Sequence, residues 1–236
     1  MYKHILLDLD DTIFDFQAGE AFAIEKMLKE FKLEPSLENI HAYNHHNREL
    51  WKGIESGETT KTELLQQRFP TFLAKFGLDI PLEEGLAIDD RFRDYLVKGT
   101  QFMPGAQDFL KALKELHQVK IYAATNGVGK TQRGRLQRLG LEDYFDKLYI
   151  SEEIGYNKPD KRFFDFIIKD LAPQNLSEVV MIGDSLTSDM EGSRRSGLEA
   201  IWFNAFSQEI SYQDNPAIVF AATSLKDILA YLMTHT

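Results

Sequence analysis

The chain has 236 residues, with 27 Lys+Arg against 37 Asp+Glu and a formal net charge of −10. That length suits one large domain or a domain with a sizeable insert, and 43% hydrophobic with 27% charged residues excludes disordered and fibrous classes. The absence of cysteine removes disulfides, thiolate metal sites and cysteine nucleophiles, and it suits a reducing compartment.

The first segment, Lys3 to Leu9, is short and apolar and ends in Asp8-Leu9-Asp10-Asp11-Thr12. It reads as a buried strand that delivers carboxylates at its C-terminal end. From about Gln17 to Lys98 the pattern is helical, with Phe22, Met27, Leu28 and Phe31 on one face. Ser36 is the expected N-cap of a helix running through Leu50 and Trp51, and Thr60-x-x-Glu63 forms a capping box. Pro70 is expected to kink or stop the helix that contains it. A further helix is expected over about Leu82 to Val97, and no strand is expected in this stretch.

Beyond Pro104-Gly105 strands and helices alternate. Strands are expected at Val119–Thr125, Lys147–Ile150, Val179–Asp184 and Ala200–Phe203. Helices are expected at Ala106–Leu116, Lys130–Leu139, Lys161–Leu171 and from about Ser188. Ser224-x-x-Asp227 caps a terminal helix. Such alternation implies βαβ units and a doubly wound parallel sheet. The expected fold is therefore α/β: a Rossmann-like core of residues 1–16 and 100–236, with an all-helical insert, residues 17–99, after the first strand. No linker longer than a turn is expected.

No apolar run approaches the roughly 18 residues that span a bilayer, and Ile5-Leu6-Leu7 is too short for a signal-peptide core. A cytoplasmic protein is expected. The acidic balance argues against nucleic-acid and anionic-membrane partners, but a local cation can still hold a small anionic substrate.

Ligands of open parallel sheets bind beyond the carboxyl ends of the strands. There the first strand delivers Asp8, Asp10 and Thr12, and the second Thr125, Asn126 and Gly127. The third leads to Lys158-Pro159, and the fourth delivers Gly183-Asp184-Ser185 and then Asp189. Crowded carboxylates need neutralising, and a hard divalent ion with one lysine is the answer this set offers. Mg²⁺ takes oxygen ligands and uses one or two carboxylates plus a substrate phosphate. Asp8 and Asp184 suit direct ligation, with Asp189 as ligand or just behind. Asp8 then suits a carboxylate nucleophile in phosphoryl transfer through an aspartyl phosphate. Asp10, two residues on, suits the acid that protonates the leaving oxygen and the base that activates water. Thr12, Thr125, Asn126 and Lys158 are the expected partners of the phosphoryl oxygens.

Asp8-Leu9-Asp10-Asp11-Thr12, Thr125-Asn126, Lys158-Pro159 and Gly183-Asp184…Asp189 resemble the four ordered motifs of the haloacid dehalogenase-like hydrolase superfamily. The helical insert resembles the C1 cap of that superfamily. The resemblance implies a Mg²⁺-dependent phosphatase working through Asp8, with the backbone carbonyl of Asp10 among the metal ligands. Thr125-Asn126-Gly127, Ile150-Ser151-Glu152-Glu153-Ile154-Gly155 and Gly183-Asp184-Ser185-Leu186-Thr187-Ser188-Asp189 look like its bacterial pyrimidine 5′-nucleotidase branch. That implies a small phosphorylated metabolite as substrate, a pyrimidine nucleoside 5′-monophosphate. A sugar-phosphate phosphatase or phosphomutase of the same superfamily is the alternative.

Two other classes compete. Ala124-Thr125-Asn126-Gly127-Val128-Gly129-Lys130-Thr131 resembles a P-loop with alanine at its first glycine, which would suit a nucleotide kinase or ATPase. That reading leaves Asp8, Asp10, Thr12 and Lys158 without a task. A phospho-aspartate signalling switch would leave Asp10 idle. His41 and His45 are expected to be solvated, Phe69, Phe72 and Phe76 to be core, and Arg133, Arg135 and Arg138 to form a solvated basic face.

Overall fold

The computed structural model describes residues 1–116 and 119–235 and divides into two units, Met1–Phe16 with Gln101–Thr236, and Gln17–Thr100. In the first unit six parallel strands form one sheet in the order β3-β2-β1-β4-β5-β6. They are β1 His4–Leu7, β2 Lys120–Thr125, β3 Lys147–Ile150, β4 Val179–Gly183, β5 Glu199–Phe203 and β6 Ile218–Ala222. Central strands β1 and β4 are apolar along their length, as strands buried on both faces must be. Alternation then sorts their side chains: Ile5, Leu7, Val180 and Ile182 enter one core, and Leu6, Val179 and Met181 enter the other.

Helix α5 (Ala106–Glu115) brings Phe109, Leu110 and Leu113 to the first core, and α10 (Leu225–Met233) brings Leu225, Ile228 and Leu232. Phe163, Phe164 and Ile167 of α8 (Lys161–Leu171) fill the second. Between them lie α6 (Gly129–Leu139), the one-turn α7 (Ser151–Ile154) and α9 (Glu191–Ser196), which follows a single wide turn at Leu186–Met190. Strand order reverses between β1 and β4, and that switch is where a doubly wound sheet opens its ligand crevice. Asp8 follows β1 and Asp184 follows β4, so both carboxylates lie at the switch.

The second unit is built of α1 (Phe16–Glu30), α2 (Leu37–Ser56), α3 (Lys61–Leu73) and α4 (Leu82–Gly99), with α1 beginning one residue before it. The caps are as expected: Ser36 accepts from the Asn39 N–H, and Thr60 and Glu63 close their reciprocal box. Tyr43, Phe69, Phe72 and Phe92 pack as a ring cluster, with Phe76 edge-on to Phe72. Beside it Arg68 binds Asp89 and, at 3.1 Å, Asn47. Asn47 donates to Glu20 at 2.6 Å, and Arg93 donates to Asp89 at 2.6 Å. Asp89 thus meets two arginines, and Glu20 joins the network through Asn47. His41 and His45 are exposed, and no described helix is long and apolar enough to cross a membrane.

Three expectations are corrected. Pro70 does not stop its helix at once, because α3 runs on to Leu73 and then tightens over Ala74–Phe76. Its missing N–H frees the Gln66 carbonyl, four residues earlier, and Gly85 of α4 packs against that oxygen so closely that a Cβ would collide with it. A sixth strand, β6, lies at the sheet edge; its residues Ile218–Ala222 are all apolar, but no helix lies between it and β5, so it stands outside the strand–helix alternation. The segment 204–217 before it is irregular and longer than a turn.

Because Gly85 faces backbone rather than a yielding side-chain end, Gly85→Ala should destabilise the helical unit by about 1–3 kcal/mol. For a chain of this size that lowers Tm by roughly 2–12 °C. Thermal unfolding of the variant checks this, and an unchanged or raised Tm would show that the Gln66 carbonyl yields.

Candidate active site

The carboxyl ends of β1, β2 and β4 converge on one ammonium group. Lys158 Nζ donates to Asp8 Oδ1, Asp189 Oδ1 and the Ala124 carbonyl, each at 2.6 Å. The lysine is 1% exposed, Asp189 1% and Asp8 6%, so the cluster is shielded from bulk water. Burial works against the charge of Lys158, but Asp189 and Asp8 outweigh it and hold the ammonium above the usual lysine range. The loop reaches this place because the side-chain amide of Asn126 grips the Lys158 backbone twice, donating to its carbonyl at 2.9 Å and accepting from its N–H at 2.8 Å.

Asp184 joins the two other acids: Asp8, Asp184 and Asp189 each offer an oxygen within 4.8 Å of the others. Three supports hold this corner. Trp202 of β5 donates its indole N–H to the Asp184 carbonyl at 2.8 Å. The Ser185 N–H donates to Asp189 Oδ2 at 3.2 Å. Gly183 leaves room that any Cβ would take from the Asp189 carboxylate.

Three carboxylates around one lysine carry too little positive charge. Two unit charges 4 Å apart interact by about 4 kcal/mol at an effective dielectric near 20. Burial first, then Asp189 and Asp10, push Asp8 up to about 8 against the pull of Lys158. Burial, Asp8 and Asp189 likewise hold Asp184 well above the usual carboxylate range. A donor set of clustered hard oxygens that lacks cationic charge fits a divalent ion such as Mg²⁺. Asp8, Asp184 and Asp189 are the side chains placed to hold it, and the Asp10 carbonyl follows two residues after Asp8.

Asp10 is gripped from α6: Arg135 binds its Oδ1, and Gln132 donates to Oδ2 at 2.7 Å. Arg135 is thus no part of a solvated face. It is fully buried, while Arg133 and Arg138 on the same helix are exposed. The helical period places Arg135 inward, three residues after Gln132. Asp11, at φ 54°, accepts from the Phe16 N–H at 3.0 Å and so caps α1.

The other expected phosphate partners are placed differently. Thr125 Oγ1 accepts from the Gly127 N–H and from Gln132, both at 3.0 Å, and Asn126 holds Lys158. Thr12 is fully enclosed, and its hydroxyl has no hydrogen-bond partner among the described residues. Turn-forming positions beside a strand end serve the backbone first, which explains Thr125 and Asn126.

The glycine-containing segment 124–131 makes no phosphate cradle. Glu152 of α7 accepts from the Gly129 N–H at 2.8 Å, so a carboxylate already occupies the start of α6. Lys130 points outward and is exposed. Gln132, Arg135, Trp202 and Glu152 are absent from the sequence-derived site. Only their helical or strand phase carries a signal, and it does not say what they touch.

Known proteins match this arrangement. Pyrimidine 5′-nucleotidase PynA of Streptococcus pneumoniae is 36% identical over 232 residues, covering 97% of this chain and 94% of that protein. Pyrimidine 5′-nucleotidase YjjG of Escherichia coli is 30% identical over 231 residues, 98% of each. The crystal structure of the putative HAD-hydrolase YfnB of Bacillus subtilis bound to magnesium superposes with a TM-score of 0.88 at 30% identity, covering 98% of this chain and 99% of that one. The family model for haloacid dehalogenase-like hydrolases matches residues 2–197. With the strand-end acids and the buried lysine in place, the chain belongs to the haloacid dehalogenase-like hydrolase family.

Proposed function

We propose that this chain is a cytoplasmic phosphomonoester hydrolase that acts through Asp8 on pyrimidine nucleoside 5′-monophosphates. The observation that carries the reaction is the buried contact of Asp8 with Lys158, beside two further acids that together invite a divalent ion. The nucleotide preference is supported by two relatives similar over nearly their whole length, both pyrimidine 5′-nucleotidases. The helical unit is read as the part that chooses among substrates.

In this reading the Asp8 carboxylate attacks phosphorus, and the bond from phosphorus to the leaving oxygen breaks. Asp10 gives that oxygen a proton and so releases the nucleoside. Asp10, now ionised, takes a proton from water, and the hydroxide attacks phospho-Asp8. Inorganic phosphate leaves and the Asp8 carboxylate is restored. Lys158 and backbone N–H groups of the strand-end turns hold the phosphoryl oxygens. Mg²⁺, held by Asp8, Asp184, Asp189 and the Asp10 carbonyl, supplies the positive charge that lets a carboxylate meet a phosphate dianion.

A panel of nucleoside monophosphates, sugar phosphates and ATP tests the substrate reading. Pyrimidine 5′-monophosphates should turn over with the highest kcat/KM, EDTA should abolish activity, and Mg²⁺ should restore it. Preference for a sugar phosphate would transfer the assignment to that substrate class, and full activity in EDTA with no metal retained would refute the acidic site as drawn.

The two lysines separate this chemistry from a P-loop enzyme. Lys158→Ala should lower kcat/KM by two to four powers of ten, roughly 3–5 kcal/mol, as expected when a buried cation that stabilises transferring charge is lost. Lys130→Ala should lower it less than about tenfold, since an exposed lysine contributes little. Circular dichroism confirms that both variants fold. An inactive Lys130→Ala beside an active Lys158→Ala would overturn the assignment.

A further inference from the structure

Within the active-site unit, Arg135 is 0% exposed and Gln132 1%, and both belong to α6. A guanidinium at this depth needs partners, and Asp10 is one of them. Its NH1 donates to Asp10 Oδ1 and, at 3.2 Å, to Gln132 Oε1. Its Cζ lies 4.4 Å from the centroid of the Phe14 ring, on the turn that follows Asp10, and 5.9 Å from that of Phe16, which begins α1. Gln132 Nε2 donates to Asp10 Oδ2 at 2.7 Å and to Thr125 Oγ1 at 3.0 Å. Arginine only donates, so the Gln132 oxygen must face it and the amide nitrogen must face Asp10. The orientation of the amide is thereby fixed, and both oxygens of the Asp10 carboxylate are held from one rigid helix.

We infer that Gln132 and Arg135 are positioning residues for the acid/base step: they fix the plane and reach of the Asp10 carboxylate and act on the reaction through Asp10. The inference rests on the reading of Asp10 as acid and base. A catalytic acid must come within about 2.6–3.2 Å of the oxygen it protonates. A displacement of about 1 Å from such geometry costs on the order of 10²-fold in rate. Two bonds to two oxygens stop rotation of the carboxylate, which a single bond would permit. Arginine suits the place better than lysine, because NH1 donates to Asp10 and Gln132 together while the planar guanidinium lies over the Phe14 ring.

The test uses leaving groups of different basicity. A departing nucleoside alkoxide needs the proton of Asp10, whereas p-nitrophenolate leaves with little help. Gln132→Met, which keeps the volume and removes both hydrogen bonds to Asp10 and Thr125, should lower kcat/KM on a nucleoside 5′-monophosphate about 100-fold. On p-nitrophenyl phosphate kcat/KM should stay within about threefold, with any fall in kcat matched by a fall in KM, because Asp10 also activates the water that releases phospho-Asp8. Arg135→Lys should show the same selectivity and serves where Gln132→Met fails to fold. In an Asp10→Asn background either change should cost less than about threefold, because residues that act as a unit are not additive.

Equal losses on both substrates, no loss on either, or full additivity with Asp10→Asn would overturn the positioning role. Asp10→Asn alone distinguishes the two levels. If it is selective for the alkyl ester and the α6 variants are not, the positioning role fails while Asp10 remains the acid. If it is not selective itself, the reading of Asp10 fails and the role of Gln132 and Arg135 falls with it.

Discussion

One buried ammonium group ties the site to the sheet. Lys158 reaches Asp8 after β1, the Ala124 carbonyl within β2 and Asp189 beyond β4. A buried lysine is costly unless every proton finds a partner, and here three protons find three oxygens. Close packing of parallel strands brings those oxygens together: the register that pairs Leu7 with Ala123 and with Ile182 sets the strand ends level. The same constraint leaves the cluster short of positive charge. The contrast with the helical unit is instructive, since there Asp89 bonds both Arg68 and Arg93, and Glu20 is linked to Arg68 through Asn47, so the acids find cationic partners. A balanced cluster serves folding. An unbalanced one at the crevice of a doubly wound sheet is poised to take up a cation and an anionic substrate.

Much of this was legible in the sequence because parallel strands are short, apolar and abruptly ended. Val179–Gly183 and Lys147–Ile150 stand out as apolar runs bounded by turn chemistry, and the acids that follow each strand mark the crevice. Capping residues such as Ser36, Thr60 and Ser224 state their role locally, through a side chain that bonds three residues ahead. Edge strand β6 is apolar throughout, but it follows an irregular segment instead of a helix and so falls outside the alternation that marks the other strands. Pro70 misled because its consequence is settled by Gly85 of another helix, not by its own neighbours.

The less legible parts of the site are contacts between distant positions. Arg133, Arg135 and Arg138 look alike along the chain, and only the phase of α6 sends Arg135 inward to Asp10, 125 residues away. Trp202 passes as an ordinary core aromatic until its indole N–H is seen on the Asp184 carbonyl. Thr125 and Asn126 were rightly placed at a strand end, yet their side chains serve the turn and the lysine loop. The residue types expected to touch phosphate are also those that best satisfy exposed backbone groups. Sequence thus marks the neighbourhood of such residues, and geometry decides what each one holds.

The central claim is that Asp8 carries the phosphoryl group between two displacements. Rapid acid quench of the enzyme during turnover of a substrate with a labelled phosphoryl group, followed by peptide mapping, tests it most directly. The account predicts label on Asp8 as an acyl phosphate, stable in acid and released by hydroxylamine, and no label in Asp8→Asn. Stoichiometric label on another side chain, or turnover by Asp8→Asn at the wild-type rate, would contradict it.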